Sequence, residues 1–253
     1  MSGGHAHALH FHGHSSIHRL PAAVKLVGLL AFVLAVVSTP PQAVWAFSAF
    51  TVILMAVLIL SEVPARFFLT RLAIDLPFVA FALLLPFVGA GPRVELGPLT
   101  VSAAGLLGAW NLLAKATLGA GASVLLAATT EVSDILAGLS RLRVPAVLVA
   151  IASFMIRYLE VVAAEFRRTR TAMAARGYEP RSVFDWKPVA VSAGALFIRS
   201  YERGERVYQA MLARGYDGNW RRAARETIPV SRWLTGLVPG IVAGAIMLTA
   251  RVL

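Results

Sequence analysis

Apolar residues fall in five long blocks, at about residues 21–38, 42–61, 67–89, 101–128 and 230–250. Each block is long enough to cross a hydrocarbon core of about 30 Å as an α-helix rising about 1.5 Å per residue. The segments between the first four blocks contain Pro40-Pro41, Pro64, Gly91-Pro92 and Gly97-Pro98, which are typical of turns. This pattern predicts an all-α integral membrane protein with about five transmembrane helices.

The region between the fourth and fifth blocks has a different pattern. Apolar positions there recur at spacings of three and four, which indicates amphipathic helices. One such stripe contains Val147, Ile151, Phe154, Tyr158, Val162, Phe166, Thr169 and Met173, and a second contains Ala193, Phe197, Tyr201, Gly204, Tyr208 and Met211. A shorter helix is expected over 131–140. The apolar stretch 145–163 carries Arg157 and Glu160, so we interpret it as amphipathic rather than as a span.

Charge gives these segments an orientation. The formal net charge is +11, and residues 131–226 contain 16 of the 24 Lys and Arg residues and 10 of the 13 Asp and Glu residues. Cytoplasmic segments are enriched in Lys and Arg, so this region is predicted to be cytoplasmic. The turn at 62–66 then also lies inside and carries Arg66, whereas the turn at 38–42 lies outside and is uncharged. We expect a cytoplasmic N-terminus and an external C-terminus.

The predicted domains follow from these boundaries. Residues 1–19 form a His-rich cytoplasmic tail, and residues 20–130 form a four-span transmembrane region. Residues 131–228 form the cytoplasmic amphipathic helices, and residues 229–253 form the last transmembrane helix.

A nine-residue sequence occurs twice in the cytoplasmic region. Residues 172–180 read Ala-Met-Ala-Ala-Arg-Gly-Tyr-Glu-Pro, and residues 210–218 read Ala-Met-Leu-Ala-Arg-Gly-Tyr-Asp-Gly. Arginine in a last helical turn followed by glycine is an ordinary helix C-terminus. A plain cap does not require the shared alanine, tyrosine and acidic residue. The alternative is a functional tip at which each small residue admits a partner backbone and each guanidinium binds a partner carboxylate.

With these residues the chain resembles the transmembrane component of energy-coupling-factor (ECF) transporters, and most closely its cobalt-transport branch, CbiQ. The resemblance covers four N-terminal spans, cytoplasmic coupling helices, two Ala-Arg-Gly tips and a last span. It implies that each tip docks on one of two ATP-binding subunits. The docking residues would be Ala175, Arg176, Gly177, Ala213, Arg214 and Gly215.

The resemblance also implies further partners. A substrate-binding membrane subunit would lie against the coupling helices, at apolar positions that include Phe154, Tyr158, Phe197 and Tyr201. No cofactor is expected on this chain, because ATP and Mg would bind to the partner ATPase subunits. The implied location is a bacterial cytoplasmic membrane, and the implied substrate is cobalt, with nickel or a vitamin as alternatives.

Several other functions fit the sequence less well. The chain has no Gly-x-x-x-x-Gly-Lys-[Ser/Thr] loop, so it is not itself the nucleotide-binding subunit. No predicted span contains histidine, and Asp75 is the one acidic residue well inside a span, which argues against an intramembrane enzyme. The visible repeat is cytoplasmic rather than membrane-embedded, which argues against a stand-alone carrier. Nucleic-acid binding is disfavoured because the arginines alternate with lipid-length apolar blocks, and without cysteine the chain has no disulfide or thiol chemistry.

For two groups of polar residues, the sequence leaves both a functional and a structural interpretation open. His5, His7, His10, His12 and His14 could chelate a divalent metal, or they could belong to a solvated tail with incidental affinity. Asp75 and Lys115 lie within predicted spans, where charges are candidates for function. A structural ion pair is favoured for Asp75, with Arg71, one helical turn away, as the easier partner than Lys115.

Overall fold

The computed structural model describes residues 15–88, 93–96, 99–178, 186–217 and 228–252, and the histidines predicted to chelate metal lie outside these ranges. The elements are α1 (Ala22–Ser38), α2 (Val44–Leu60), α3 (Ala65–Leu72), a 3-10 turn (Ala73–Asp75), α4 (Leu76–Val88), β1 (Arg93–Leu96), β2 (Leu99–Ser102), α5 (Ala103–Thr129), α6 (Val132–Arg141), α7 (Ala146–Ala175), α8 (Lys187–Ala213) and α9 (Val230–Val252). The described residues up to Gly138 and from residue 228 onward form one compact unit, and those from Leu139 to Asp217 form a second.

Four of the five predicted spans are single helices, α1, α2, α5 and α9, whose ends lie within two residues of the predicted blocks. The third block is divided into α3, the 3-10 turn and α4. Pro77 is the second residue of α4 and has no N–H group to donate to the carbonyl of Ala73. The backbone therefore tightens to a 3-10 turn over Ala73–Asp75 instead of continuing as one α-helix.

The connection between α4 and α5 contains a structure that the sequence analysis did not predict. Strands β1 and β2 pair in antiparallel fashion, with Arg93 opposite Ser102 and Leu96 opposite Leu99. Val94 and Val101 also pair, in agreement with the preference of β-branched residues for strands. The predicted all-α fold class is confirmed with this one addition, a short hairpin where only a turn was expected.

The surface of the helical unit identifies its solvent. Large apolar side chains are widely exposed, among them Ile59 at 73%, Phe81 at 59% and Leu248 at 61%. Four helical segments are long and apolar enough to cross a membrane, namely Ala65–Val88, Ala103–Thr129, Ala146–Ala175 and Val230–Val252, and α1 and α2 are apolar helices of 17 residues each. An exterior of this composition is compatible with lipid rather than water, so the chain is a multi-pass membrane protein.

Glycines allow α1 and α9 to pack closely. A Cβ atom on Gly28 would lie 2.7 Å from the carbonyl oxygen of Gly236, and one on Gly240 would lie 2.8 Å from Cβ of Ala31. Both distances are too short for a side chain, so these positions require glycine. Gly236 and Gly240 form the Gly-x-x-x-Gly spacing that brings two membrane helices into backbone contact.

Contacts at both ends of α1 fix the directions of its neighbours. Near its start, Lys25 Nζ donates to the carbonyl of Thr129 at the end of α5 at 2.7 Å. Near its end, the Val37 carbonyl accepts from Lys115 Nζ, in the middle of α5, at 2.8 Å. Thus α1 and α5 are antiparallel. In contrast, α9 is parallel to α1, because Gly236 lies beside Gly28 and Arg251 Nη2 donates to the carbonyl of Ser38 at 3.0 Å.

These directions bear on α7, whose length and composition would permit a membrane crossing. A single crossing by α7 would make α9 the sixth span, and α9 would then be antiparallel to α1. The observed parallel packing is that of a fifth span. Helix α8 carries Arg199, Glu202 and Arg203 and is not among the candidate spans, so it does not supply a compensating crossing. That α7 is amphipathic and does not cross the membrane stays a prediction, with which the parallel packing of α1 and α9 agrees.

Candidate functional site

The first Ala-Arg-Gly segment lies at the C-terminus of α7, and we call residues 173–178 the first tip. Arg176 leaves the helix with φ −92° and ψ 14°, and Gly177 adopts φ +79°. The N–H of Tyr178 donates to the Met173 carbonyl at 3.1 Å, and the N–H of Gly177 donates to the Ala174 carbonyl at 3.0 Å. This pair of hydrogen bonds defines a Schellman C-cap.

The second tip, residues 211–216, has the same structure at the end of α8. Arg214 has φ −94° and ψ 9°, and Gly215 has φ +82°. The N–H of Tyr216 donates to the Met211 carbonyl at 3.0 Å, and that of Gly215 to the Leu212 carbonyl at 2.9 Å. The repeated sequence therefore encodes a repeated backbone conformation.

This cap accounts for more of the repeat than the sequence analysis allowed. In a Schellman motif, the residue after glycine commonly makes an apolar contact with the residue three positions before the cap. Tyrosine and methionine occupy those positions in both tips and are half-buried: Tyr178, Met173, Tyr216 and Met211. Methionine, glycine and tyrosine thus occupy positions that the cap uses, whereas the cap does not account for the shared alanine and acidic residue.

The alanines and arginines are accessible to a partner. Ala175, Arg176, Ala213 and Arg214 are all exposed, and neither guanidinium has an ion-pair partner among the described residues. A Cβ atom added to Gly177 or Gly215 would meet no atom within 4 Å. The glycines are therefore needed for their positive φ, and the space around both tips is open.

An ion cluster joins the helices that carry the tips. Glu165 of α7 lies 2.9 Å from Nε of Arg199 and 3.3 Å from Nη2 of Arg203, both on α8. Its side chain is only 13% exposed. Nearer the first tip, Ser192 Oγ lies 3.3 Å from the sulfur of Met173. Because the late residue of α7 contacts the early residue of α8, the two helices are antiparallel.

The same contacts separate the two tips. Ser192, beside the first tip, precedes Arg214 by 22 residues of helix, which corresponds to roughly 30 Å at 1.5 Å per residue. Two guanidinium groups at this separation do not share one carboxylate. They are two separate positive charges on the surface of this unit.

The four residues predicted to contact a substrate-binding subunit fall into two pairs. The rings of Phe154 and Tyr158 on α7 are stacked, with centroids 6.3 Å apart and planes inclined by 19°, and both side chains are half-buried. On α8, Phe197 and Tyr201 are 72% and 67% exposed. The α8 pair is therefore the more accessible apolar surface.

The intramembrane charges have different environments. Lys115 Nζ donates to the carbonyl of Val37 rather than to Asp75, so it caps the C-terminus of α1. Asp75 is 6% exposed, and its Oδ2 has no hydrogen-bond partner within the described ranges. In the same ranges, His, Asp and Glu do not form a group of three able to hold a metal ion.

Three features were missed by the sequence analysis. Glu165 was not singled out, because nothing local marks it as the partner of arginines 34 and 38 positions later. Lys25 was given no structural contact, although its Nζ donates to the Thr129 carbonyl and so joins the start of α1 to the end of α5. The Gly236-x-x-x-Gly240 spacing is visible in the sequence. It would have predicted that α9 packs closely against another membrane helix.

Comparison with known proteins identifies the family. The profile of the cobalt transport protein CbiQ matches residues 13–225. The cobalt transport protein CbiQ of Rhodobacter capsulatus is 29% identical over 79% of this chain and 80% of its own length. The ECF transporter transmembrane protein EcfT of Bacillus selenitireducens is 27% identical over 81% of each chain. A putative fused cobalt transport protein CbiMQ of Methanocorpusculum labreanum is 26% identical over 81% of this chain and 35% of its own length. Because the profile covers most of the sequence, the chain belongs to the CbiQ family of transport proteins and is similar to the transmembrane components of ECF transporters.

Proposed function

We propose that this chain is the transmembrane coupling subunit of an ECF-type ATP-driven importer. The observation that carries the proposal is the pair of matching capped helix ends, each presenting an exposed arginine, on two helices joined by a shielded ion cluster. The chain transmits motion and does not hydrolyse ATP. ATP and Mg bind to two partner ATPase subunits.

Each tip has the chemistry needed to dock on such a subunit. The Schellman cap fixes the backbone on both sides of Arg176 and Arg214, so each arginine side chain leaves the backbone in a defined direction. Arginine offers a planar fork of donors that binds a carboxylate through two hydrogen bonds. Ala175 and Ala213 leave room beside each arginine for the wall of a groove. Two such tips, roughly 30 Å apart, fit two grooves on a pair of ATPase subunits.

Movement of the grooves would pass along the helices. When ATP binding closes the ATPase pair, each tip moves with the subunit that holds it. The Glu165 cluster links α7 to α8, so displacement of one tip is transmitted to the other helix. The two helices then act as levers about this cluster.

The far end of this mechanism is a substrate-binding membrane subunit. Phe197 and Tyr201 offer it an exposed apolar surface on α8, and the stacked pair Phe154 and Tyr158 offers a second on α7. Sliding of these surfaces would reorient the bound subunit between the two sides of the membrane. The relative named as a fused cobalt transport protein CbiMQ supports a partner of this kind, because its chain continues well beyond the part matched here.

Cobalt is the proposed substrate, because the family and the similar proteins of Rhodobacter capsulatus and Methanocorpusculum labreanum carry that name. The same role in a nickel or vitamin importer is the alternative. The proposed location is the bacterial cytoplasmic membrane, with the N-terminus inside and the C-terminus outside. In that orientation His5, His7, His10, His12 and His14 would meet metal after transport, as a buffer.

The docking role is tested by reversing the charge of both tips. We expect the Arg176→Glu, Arg214→Glu double variant to reach the membrane but to lose co-purification with the ATP-binding subunits of its transporter. The matched control is Arg157→Glu, which reverses an exposed arginine of α7 far from its tip. Undiminished co-purification of the double variant, or loss in the control as well, would contradict docking through the tips.

A further inference from the structure

The two tips have the same backbone but different helix surfaces leading to them. Because their caps match, each residue near the end of α7 corresponds to the residue 38 positions later in α8. The last ten residues of the two helices, 166–175 and 204–213, can therefore be compared position by position. Their charges differ, although their ends are alike.

The surface leading to the first tip is strongly basic. Arg167, Arg168 and Arg170 are exposed, and residues 166–175 contain no acidic residue. The preceding residue, Glu165, does not neutralise them, because its carboxylate binds Arg199 and Arg203 on the other helix. Within the described part of the chain, no acidic side chain pairs with these three arginines beside the first tip.

The corresponding surface of α8 is neutral. Glu205 occupies the position equivalent to Arg167, and Arg206 the position equivalent to Arg168. Arg206 is further offset by Glu202, whose carboxylate lies 4.0 Å from its Nη1. The position equivalent to Arg170 is Tyr208. Equivalent surfaces thus differ by three charges, including one reversal of sign.

Two of these arginines, Arg167 and Arg168, border a shallow depression that leads to the first tip. It has a volume of about 550 Å³ and is lined by Ala164, Arg167, Arg168, Thr171, Ala172 and Ala175. The short side chains of its alanines leave space above the helix backbone, so a side chain of a partner can reach the arginines. The depression ends at Ala175, which is already part of the docking tip, and is therefore continuous with the surface that a docked subunit would cover.

We propose that the arginines beside the first tip contact acidic side chains at the edge of the groove in which that tip docks, whereas the second tip makes no such additional contacts. The inference rests on the proposed docking function and adds the electrostatic character of the partner. The contact at the first tip is steered by charge and is more sensitive to salt than the contact at the second tip, where Arg214 alone faces a carboxylate. The occupant of the depression is an acidic protein surface, because the planar guanidinium groups of arginine bind carboxylates through two hydrogen bonds.

The test measures each tip separately in the full-length chain. Arg214→Glu leaves the first tip intact, and Arg176→Glu leaves the second. The affinity of each variant for the ATP-binding subunits is measured from about 50 mM to about 500 mM NaCl, over which the Debye length falls from roughly 14 Å to 4 Å. We expect roughly tenfold weakening for the chain with the first tip and less than about twofold for the chain with the second.

Neutralisation of the arginines assigns the salt effect to them. Arg167→Gln, Arg168→Gln and Arg170→Gln together, in the chain that keeps the first tip, should reduce its salt dependence to that of the second. Arg157→Gln, which removes an exposed charge ten residues before Arg167, should leave it unchanged. The triple change is also measured in the chain with both tips intact, in case one tip alone binds too weakly for its affinity to be measured. There it should reduce the dependence of the affinity on salt.

Equal salt dependence of the two tips would overturn the inference. So would a triple variant that docks with unchanged salt dependence but loses binding to vesicles containing an anionic phospholipid, because the depression would then receive a lipid headgroup. Failure of docking itself is recognised separately, since the Arg176→Glu, Arg214→Glu double variant would then bind the ATP-binding subunits as well as the unchanged chain.

Discussion

The carboxylate of Glu165 and the guanidinium of Arg199, on different helices, lie 2.9 Å apart and form the closest ion pair within the described part of the chain. Arg203 adds a second contact to the same carboxylate at 3.3 Å. The Glu165 side chain is 13% exposed, whereas that of Arg199 is 49% exposed. This cluster is therefore the shielded polar link between the two helices that carry the tips.

The first prediction concerns this link. Glu165→Gln keeps the size of the side chain but removes the charge that holds both arginines. We expect it to weaken the α7–α8 pairing by about 1–2 kcal/mol, at the lower end for a shielded pair because Arg199 is half exposed. Both caps should survive, so the ATP-binding subunits should still co-purify, but ATP hydrolysis should no longer drive uptake.

The change in geometry can be measured directly because the chain has no cysteine. Spin labels on Ala172→Cys and Ala210→Cys should give a narrow distance distribution centred at roughly 30 Å. Glu165→Gln should broaden it. The control is Glu205→Gln, since Glu205 accepts a hydrogen bond from Gln209 on its own helix at 3.2 Å. An unchanged distribution with normal uptake in Glu165→Gln would show that the cluster is not the link.

The spans and both tips could be predicted from sequence because their signals are local. A span needs only a sufficient run of apolar residues, and the ends of α1, α2, α5 and α9 lie where those runs stop. The caps were likewise readable, because arginine followed by glycine marks a helix end. The exception within the local signals was Pro77, whose missing N–H group divides the third block.

Contacts between distant segments were not readable in the same way. Glu165 and Arg203 are 38 residues apart, and no spacing rule within one helix relates them. The parallel direction of α9 was implied by counting spans. The contact of Gly28 with Gly236 was not, because it depends on the side-chain volumes at the point where the two helices cross. The hairpin of β1 and β2 was missed because its four-residue strands are too short to show a periodic pattern.

The second prediction concerns the α1–α9 contact. Gly28→Ala places a methyl group 2.7 Å from the Gly236 carbonyl oxygen, a backbone atom that cannot turn aside. We expect the transmembrane unit to lose about 1–3 kcal/mol, the usual effect of overpacking. Gly244→Ala, also in α9, meets nothing within 4 Å and should be neutral. Thermal unfolding in detergent distinguishes the two, and equal midpoints would contradict the close approach.

The third prediction is that α7 begins and ends on the same side of the membrane. Leu142→Cys lies just before α7 and Ala174→Cys lies in its last turn. Both should react with an impermeant maleimide only after the cytoplasmic face is exposed. Gln42→Cys, in the turn between α1 and α2, should react from the opposite side. Opposite labelling of positions 142 and 174 would mean that α7 crosses the membrane and would contradict the prediction.

The fourth prediction separates two reasons for the glycine in the first tip. Gly177 has φ +79°, and there is open space where its Cβ would be. If the backbone conformation is the requirement, Gly177→Ala should strain the cap by about 1 kcal/mol and displace Arg176, whereas Gly177→Asn should be tolerated because asparagine adopts this conformation more readily. If a partner groove must approach the glycine closely, the larger asparagine should be the worse of the two. We expect co-purification of the ATP-binding subunits with a chain carrying Arg214→Glu to fall for Gly177→Ala and to be largely kept for Gly177→Asn. The reverse order would assign the glycine to the partner surface rather than to the cap.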